Sequence, residues 1–262
     1  MKQLSWLLAS VLLSGCSTVT DMVTSITAPD KAKPAELVNF DHEVKTIKLW
    51  STNSVGAYRL VSGGLRPALS GGMIFAADNE GLITAIDTTT GNIIWKVKLD
   101  SPLGGGVGVS EDLVMVGSTD GYVYALEAST GAERWHVMVS SEVLSAPAGN
   151  KDVVIVQTQD GRAIGLSAQD GEKQWQFKLD VPVLTLRGTS APVIRGDTVV
   201  TGFANGKVYA LSANSGTVIW EKRIAIPQGR TELERLVDID GQVLIANDIV
   251  YAVSYQGRIG AI

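Results

Sequence analysis

Ala85-Ile86-Asp87-Thr88-Thr89-Thr90-Gly91-Asn92-Ile93-Ile94-Trp95 is a stretch that returns three more times in the chain. Ala125 to Trp135 reads ALEASTGAERW, Gly165 to Trp175 reads GLSAQDGEKQW, and Ala210 to Trp220 reads ALSANSGTVIW. In each copy a small residue opens an apolar strand, a Gly stands six positions later (Gly91, Gly131, Gly171, Gly216), and a Trp four positions after that. The Gly suits a turn with φ > 0, which a residue bearing a Cβ reaches only at a cost. The Trp then holds a fixed place on the next strand, where its large surface can pack on a neighbouring copy. Upstream of each copy lies a second turn: Asn79-Glu80-Gly81, Thr119-Asp120-Gly121, Gln159-Asp160-Gly161 and Ala204-Asn205-Gly206. Asp-Gly and Asn-Gly between alternating apolar residues are strong hairpin signals.

The tryptophans give the architecture. Trp50, Trp95, Trp135, Trp175 and Trp220 follow one another at intervals of 45, 40, 40 and 45 residues. A period of roughly 40–45 residues with about four short strands per unit reads as an all-β fold, a β-propeller of four-stranded blades. One unit cannot bury both faces of its small sheet, so units stack around an axis. The tryptophans are therefore expected to serve blade-to-blade packing rather than a ligand. Blades are expected over about 66–98, 107–139, 144–179 and 190–224, with a fifth beginning at about Leu236. The Trp50 strand has no blade of its own and matches the last strand of a repeat, so it is expected to complete the final blade of the ring. The chain stops at Ile262 in mid-motif. That favours an N-terminal fragment of a longer propeller, with a five-bladed ring closed by the Trp50 strand as the alternative.

Composition bounds the chemistry. The 262 residues are 45% hydrophobic with a formal net charge of −5, so the chain can bury a core and carries no basic footprint for nucleic acid. Cys16 is the single cysteine, which excludes an internal disulfide and a thiolate metal site. His42 and His136 are the two histidines, and neither clusters with carboxylates at metal-ligand spacing. No cofactor or metal is expected.

The first residues read as an address. Lys2 is a minimal basic start, and Leu4 to Leu13 forms an apolar run too short to span a bilayer, which needs roughly 20 residues. Residues 1–15 are thus expected to be a signal peptide. Leu13-Ser14-Gly15-Cys16 resembles the bacterial lipobox, which implies cleavage before Cys16 and its lipidation; Ser17 after it favours the outer membrane. Several acyl chains, at roughly 0.8 kcal/mol per buried CH₂, anchor a protein durably. Residues 16–45 are polar, with Pro29 and Pro34, and read as a tether to a propeller over 46–262.

Two links depart from the repeat. The connection after Trp175 is longer than its predecessors by about five residues, and that after Trp220 by about eleven. Packing needs neither, and insertions on one rim of a propeller often carry binding. The first insertion is Pro182-Val183-Leu184-Thr185-Leu186-Arg187-Gly188; the second runs from Gly229 to Asp240. Both belong on the face that carries the Asp-Gly hairpins, near one another. Together they supply Leu184, Leu186, Arg187, Asp238 and Asp240, and apolar anchors beside an Arg suit a protein-binding hot spot. The competing reading pairs Arg187 with Asp238 or Asp240 inside the fold and lets the leucines fill a gap.

The lipobox, the tether, the repeats, the Leu184-Thr185-Leu186-Arg187-Gly188 link and the Thr231-to-Asp240 segment together resemble the BamB family, lipoproteins of the outer-membrane β-barrel assembly machinery. Members of that family are eight-bladed. The resemblance implies a non-catalytic scaffold, held at the periplasmic face of the outer membrane by a lipid anchor, that assists nascent outer-membrane β-barrel proteins. It also implies that the positions of Leu184, Leu186, Arg187, Asp238 and Asp240 bind the POTRA domains of BamA. Two other classes remain open at this point. A pyrroloquinoline quinone dehydrogenase shares the tryptophan repeat but needs Ca²⁺ ligands and a catalytic Asp. A periplasmic ligand-binding propeller would line its funnel with aromatic or polar residues.

Overall fold

A computed structural model describes Val38, residues 44–53 and residues 64–262. The chain divides into Met1–Ile47, which has no strand or helix among its described residues, and Lys48–Ile262. The expected signal peptide, Cys16 and all of the tether but Val38, Val44 and Lys45 lie outside the described residues.

Among the described residues, nineteen strands make up the second unit, and each sheet is a short antiparallel meander. Blade one is β1 (Ala68–Ser70), β2 (Met73–Ala77), β3 (Leu82–Asp87) and β4 (Ile93–Lys98). Blade two is β5 (Gly108–Ser110), β6 (Leu113–Gly117), β7 (Tyr122–Glu127) and β8 (Glu133–Met138). Blade three is β9 (Ala148–Gly149), β10 (Val153–Thr158), β11 (Arg162–Ser167) and β12 (Lys173–Lys178). Blade four is β13 (Val193–Arg195), β14 (Thr198–Gly202), β15 (Lys207–Ser212) and β16 (Val218–Arg223). The fifth sheet has β17 (Leu244–Ala246), β18 (Ile249–Val253) and β19 (Ile259–Ala261). The first strands β1, β5, β9 and β13 touch in succession, so they line the axis and β4, β8, β12 and β16 form the outer edges. The middle strands of blades two to four are buried almost throughout: β10 reads Val-Val-Ile-Val-Gln-Thr without an exposed position, as a strand covered on both faces does.

The repeated stretch resolves into one recurring contact. The indole of each Trp lies on the Gly turn of the following blade: Trp50 on Gly91, Trp95 on Gly131, Trp135 on Gly171 and Trp175 on Gly216. These glycines have φ between 67° and 76°, and a Cβ on any of them would enter the ring. Each indole N–H donates across the same boundary, Trp50 to Thr88 O (2.9 Å), Trp95 to Ala128 O (2.9 Å), Trp135 to Ala168 O (3.0 Å) and Trp175 to Ala213 O (2.7 Å). Burying a large ring while pairing its one donor removes the penalty an orphaned N–H would carry. The small residue that starts each copy sits within its strand rather than opening it. Ala85, Ala125, Gly165 and Ala210 stand directly opposite Trp95, Trp135, Trp175 and Trp220 on the next strand, and a bulge follows each of them. At Gly165 the Trp175 ring occupies the space of a Cβ.

Two expectations change. Trp50 is not part of a strand among the described residues, yet it occupies the same place before blade one that the other tryptophans occupy before theirs. The fifth blade begins at Leu244, not at about Leu236, because Leu236, Val237 and Ile239 are spent as buried anchors of the preceding link. Trp220, half-buried, packs beside the Val200, Val208 and Ile239 cluster.

Replacing Trp135 by Ala should cost about 3–5 kcal/mol of unfolding free energy, the range for a buried aromatic. Gly171→Ala should also destabilise, because its Cβ meets the same ring from the other side. Denaturant titrations of the two single variants and the double variant check both. Costs that simply add would refute a shared contact.

A composite surface where two blade links meet

Chain direction places the link between blades on the rim that carries the hairpin between second and third strands. Thr119 N donates to Pro102 O (2.9 Å), Gln159 N to Glu142 O (2.9 Å) and Tyr255 N to Asp238 O (2.7 Å), so the hairpins of blades two, three and five grip the links that enter them. The two long links, one between β12 and β13 and one between β16 and β17, lie side by side as their order predicts. Leu186 N donates to Asp238 Oδ1 (3.0 Å), and a Cβ on Gly188 would stand 3.3 Å from the Asp240 carboxyl.

The second link is built by local chemistry. Glu234 Oε2 accepts from Arg230 N (2.7 Å) and Thr231 N (3.1 Å), and Glu234 N donates to Thr231 Oγ1 (3.2 Å), a reciprocal Thr-x-x-Glu cap. Those backbone N–H groups hold the Glu234 carboxyl below its ordinary range. Downstream, Ile239 N reaches Phe203 O (3.4 Å) and the Ile239 side chain fills the space above Gly202.

The five residues singled out in the sequence come together, in unequal roles. Leu184 is exposed, next to Val183 at 95% exposure. Leu186 is half-buried and Arg187 is exposed. The Arg187 guanidinium pairs with Glu142 of the preceding link (Nη2 to Oε1, 2.7 Å), not with Asp238 or Asp240. That bond pushes the Arg187 pKa further up. Asp238 is only 2% exposed, so it is no part of an anionic surface; its Oδ1 anchors Leu186 from below. Burial pushes the Asp238 carboxyl up. Asp240 is half-buried, and burial together with the nearby Asp238 charge pushes its carboxyl up to about 6. Glu142 and Gln159 were missed in the sequence, since Glu142 lies in a link of ordinary length and Gln159 in a regular hairpin turn; only their contacts across the rim reveal them. Exposed Ile226 and Leu233 extend the apolar surface on the second link.

Among the described residues, no group of three or more His, Cys, Asp or Glu is arranged to hold a metal ion. His136 bonds Glu133 (2.7 Å) and stacks near Tyr122 and Tyr124 on blade two. No described helix is long and apolar enough to cross a membrane.

Repeated Trp-on-Gly boundaries, with one rim elaborated by two long links, define a tryptophan-repeat β-propeller. The family described as outer membrane protein assembly factor BamB matches residues 40–105 and 79–262. The chain belongs to the BamB family. It is 56% identical over 234 residues to the outer membrane protein assembly factor BamB of Pseudomonas aeruginosa, covering 87% of this chain and 60% of that protein. The crystal structure of BamB from Moraxella catarrhalis superposes with a TM-score of 0.72 at 30% identity, over 77% of this chain and 61% of that one. The chain thus spans about 60% of the length of these relatives. A quinohemoprotein alcohol dehydrogenase from Comamonas testosteroni shares the fold alone, with a TM-score of 0.58 at 18% identity. The family is named for assembly and not for catalysis, which sets the dehydrogenase reading aside.

Asp238→Ala removes the acceptor of Leu186 N and should cost about 1–3 kcal/mol, the penalty of an unsatisfied buried donor. Asp238→Asn, which keeps an acceptor oxygen, should cost less; equal losses in denaturant unfolding would refute the anchoring role. Asp240 gives a pH signature. Its folded pKa, about 6, lies above the ordinary 3.8. The folded state therefore keeps a proton that the unfolded chain releases between roughly 4 and 6. This stabilisation is complete below the unfolded pKa and is lost as pH rises through about 6. Wild-type stability relative to Asp240→Asn should fall across that window, and a flat difference would contradict the assignment.

Proposed function

We propose that this protein is a non-catalytic scaffold lipoprotein of the outer-membrane β-barrel assembly complex. In this reading Cys16 carries the lipid anchor that holds it to the periplasmic face of the outer membrane. Its partners are the POTRA domains of BamA and, through the complex, nascent outer-membrane β-barrel proteins. The family supports the assembly role. One observation supports the docking surface above all: the two links that exceed the repeat are bonded into a single rim surface through Leu186 and Asp238.

The surface has the parts of a protein-binding site. Val183 and Leu184 offer exposed apolar area in front of a braced backbone. Arg187, held by Glu142, presents its remaining guanidinium N–H groups in a fixed direction. An exposed pair of this kind adds little to stability, so its worth lies in orientation. Asp238 acts from beneath by fixing where Leu186 runs, and Asp240 packs beside Gly188. A surface that arrives already ordered loses less conformational entropy on binding.

Titration of the lipid-free full-length protein against purified POTRA domains tests the proposal. Arg187→Glu should weaken binding by on the order of 30-fold or more, the loss typical of a hot spot. Its circular dichroism and unfolding should stay near wild type, because Arg187 is exposed. Unchanged affinity with an intact fold would sink the surface assignment.

A further inference from the structure

The hairpin between second and third strands repeats in every blade, and its second residue is Asn79, Thr119, Gln159, Ala204 or Tyr255. In blade three this residue departs from the pattern. Its backbone behaves like that of Thr119 and Tyr255, with Gln159 N bonded to Glu142 O of the link that enters the blade (2.9 Å). Its side chain crosses to the link that leaves the blade. Gln159 Nε2 donates to Leu186 O (3.0 Å), and Gly188 N donates to Gln159 Oε1 (3.2 Å). One carboxamide thus spans the residue between them, Arg187, pairing with its neighbours much as an adjacent strand would.

We infer that Gln159 is the positioning residue of the partner-binding link, clamping Leu186 and Gly188 so that Arg187 is presented outward. The inference rests on the docking surface proposed above. The chemistry narrows the choice of side chain at 159. An irregular, half-buried link needs partners for its backbone N–H and C=O groups, which a neighbouring strand does not supply here. A primary amide carries one acceptor and one donor on a flat group, matching one N–H and one C=O of the chain opposite. Only one orientation of the amide satisfies both. Glu142 completes the arrangement: its backbone oxygen holds Gln159, and its carboxylate holds the Arg187 guanidinium. Asp238 supports the same Leu186 from the opposite side through Leu186 N. Leu186 is therefore bonded at both its N–H and its C=O, and Arg187 projects from between two fixed residues.

The test uses Gln159→Leu and Gln159→Glu in the full-length protein. Amide hydrogen exchange without any partner reads the clamp itself. Gln159→Leu should speed exchange at Gly188 by about fivefold, as expected when a bond worth roughly 1 kcal/mol is lost. Protection within β10 and β11 should stay unchanged. POTRA titration then reads the positioning role, with an affinity loss of about tenfold for the same variant. Gln159→Glu keeps the acceptor for Gly188 N but loses the donor to Leu186 O. Its affinity relative to wild type should rise as pH falls toward the ordinary glutamate range near ~4.3, where protonation restores a donor. A purely packing role for residue 159 would leave exchange at Gly188 near wild type in Gln159→Leu, whose side chain keeps similar apolar bulk without a donor or acceptor. Unchanged exchange at Gly188 overturns the clamp. Faster exchange with unaltered affinity overturns the positioning role. Failure of the wild-type protein to bind POTRA domains overturns the docking reading, while exchange still judges the clamp.

Discussion

As far as blade four, each blade is seated by an indole lying on a glycine. Trp50, Trp95, Trp135 and Trp175 each reach forward onto Gly91, Gly131, Gly171 and Gly216, and each ties its N–H to a carbonyl beyond the boundary. The contact joins two requirements in one place. The turn needs φ > 0, which glycine tolerates, and the ring needs a surface without a Cβ, which only glycine offers. Dispersion and burial hold the ring, and the hydrogen bond sets its direction. Because the same geometry recurs, each blade is added at the same angle and the inner strands stay in register around the axis. Hydrophobic clusters then form between adjacent blades rather than within them, as where Trp95 and Phe75 meet Val114 and Leu126.

That regularity makes one rim available for variation. Links enter and leave every blade on the side of the second hairpin, and the Trp contact lies elsewhere, so a link can lengthen without disturbing a boundary. Two neighbouring links have done so. Alone, neither would be well held, since each is irregular and has backbone groups to satisfy. Side by side they brace each other: Asp238 bonds Leu186 across the gap, Ile239 plugs the space over Gly202, and Gln159 with Glu142 secures the first link from blade three. The elaborated rim and the blade packing are thus separated in space, with carboxylates below and apolar side chains and an Arg above.

Residues Asp238 and Asp240 show where a sequence pattern and a site diverge. As letters beside a Leu-x-Leu-Arg link they read either as anionic members of a binding surface or as ion-pair partners of Arg187 within the fold. In the structure their burial raises both carboxyl pKa values, and Arg187 turns to Glu142 instead. A carboxylate in low-dielectric surroundings is better used as an acceptor for a backbone N–H than as a free charge. The family identification survives this change of roles, because it rests on the order of residues along the chain and not on which of them faces the partner.

The sequence by itself determined the repeat, the four-stranded blade, the place of each turn and the two links that exceed the pattern. All are local in the chain: a Gly six positions from a small residue and a Trp four further on are constraints on φ, ψ and strand alternation that act within about eleven residues. Even the shared rim followed, because an even number of strands per blade returns the chain to the same side. Only the tertiary structure decided that Ala85 and its equivalents face their Trp across a strand pair, that Leu236 to Ile239 anchor a link rather than begin a blade, and that Glu142 and Gln159 belong to the candidate surface. Glu142 and Arg187 are 45 residues apart, and Gln159 and Leu186 are 27 apart. Which distant side chain meets which backbone group is set by how blades stack and where burial excludes water, and no local pattern of residues encodes that.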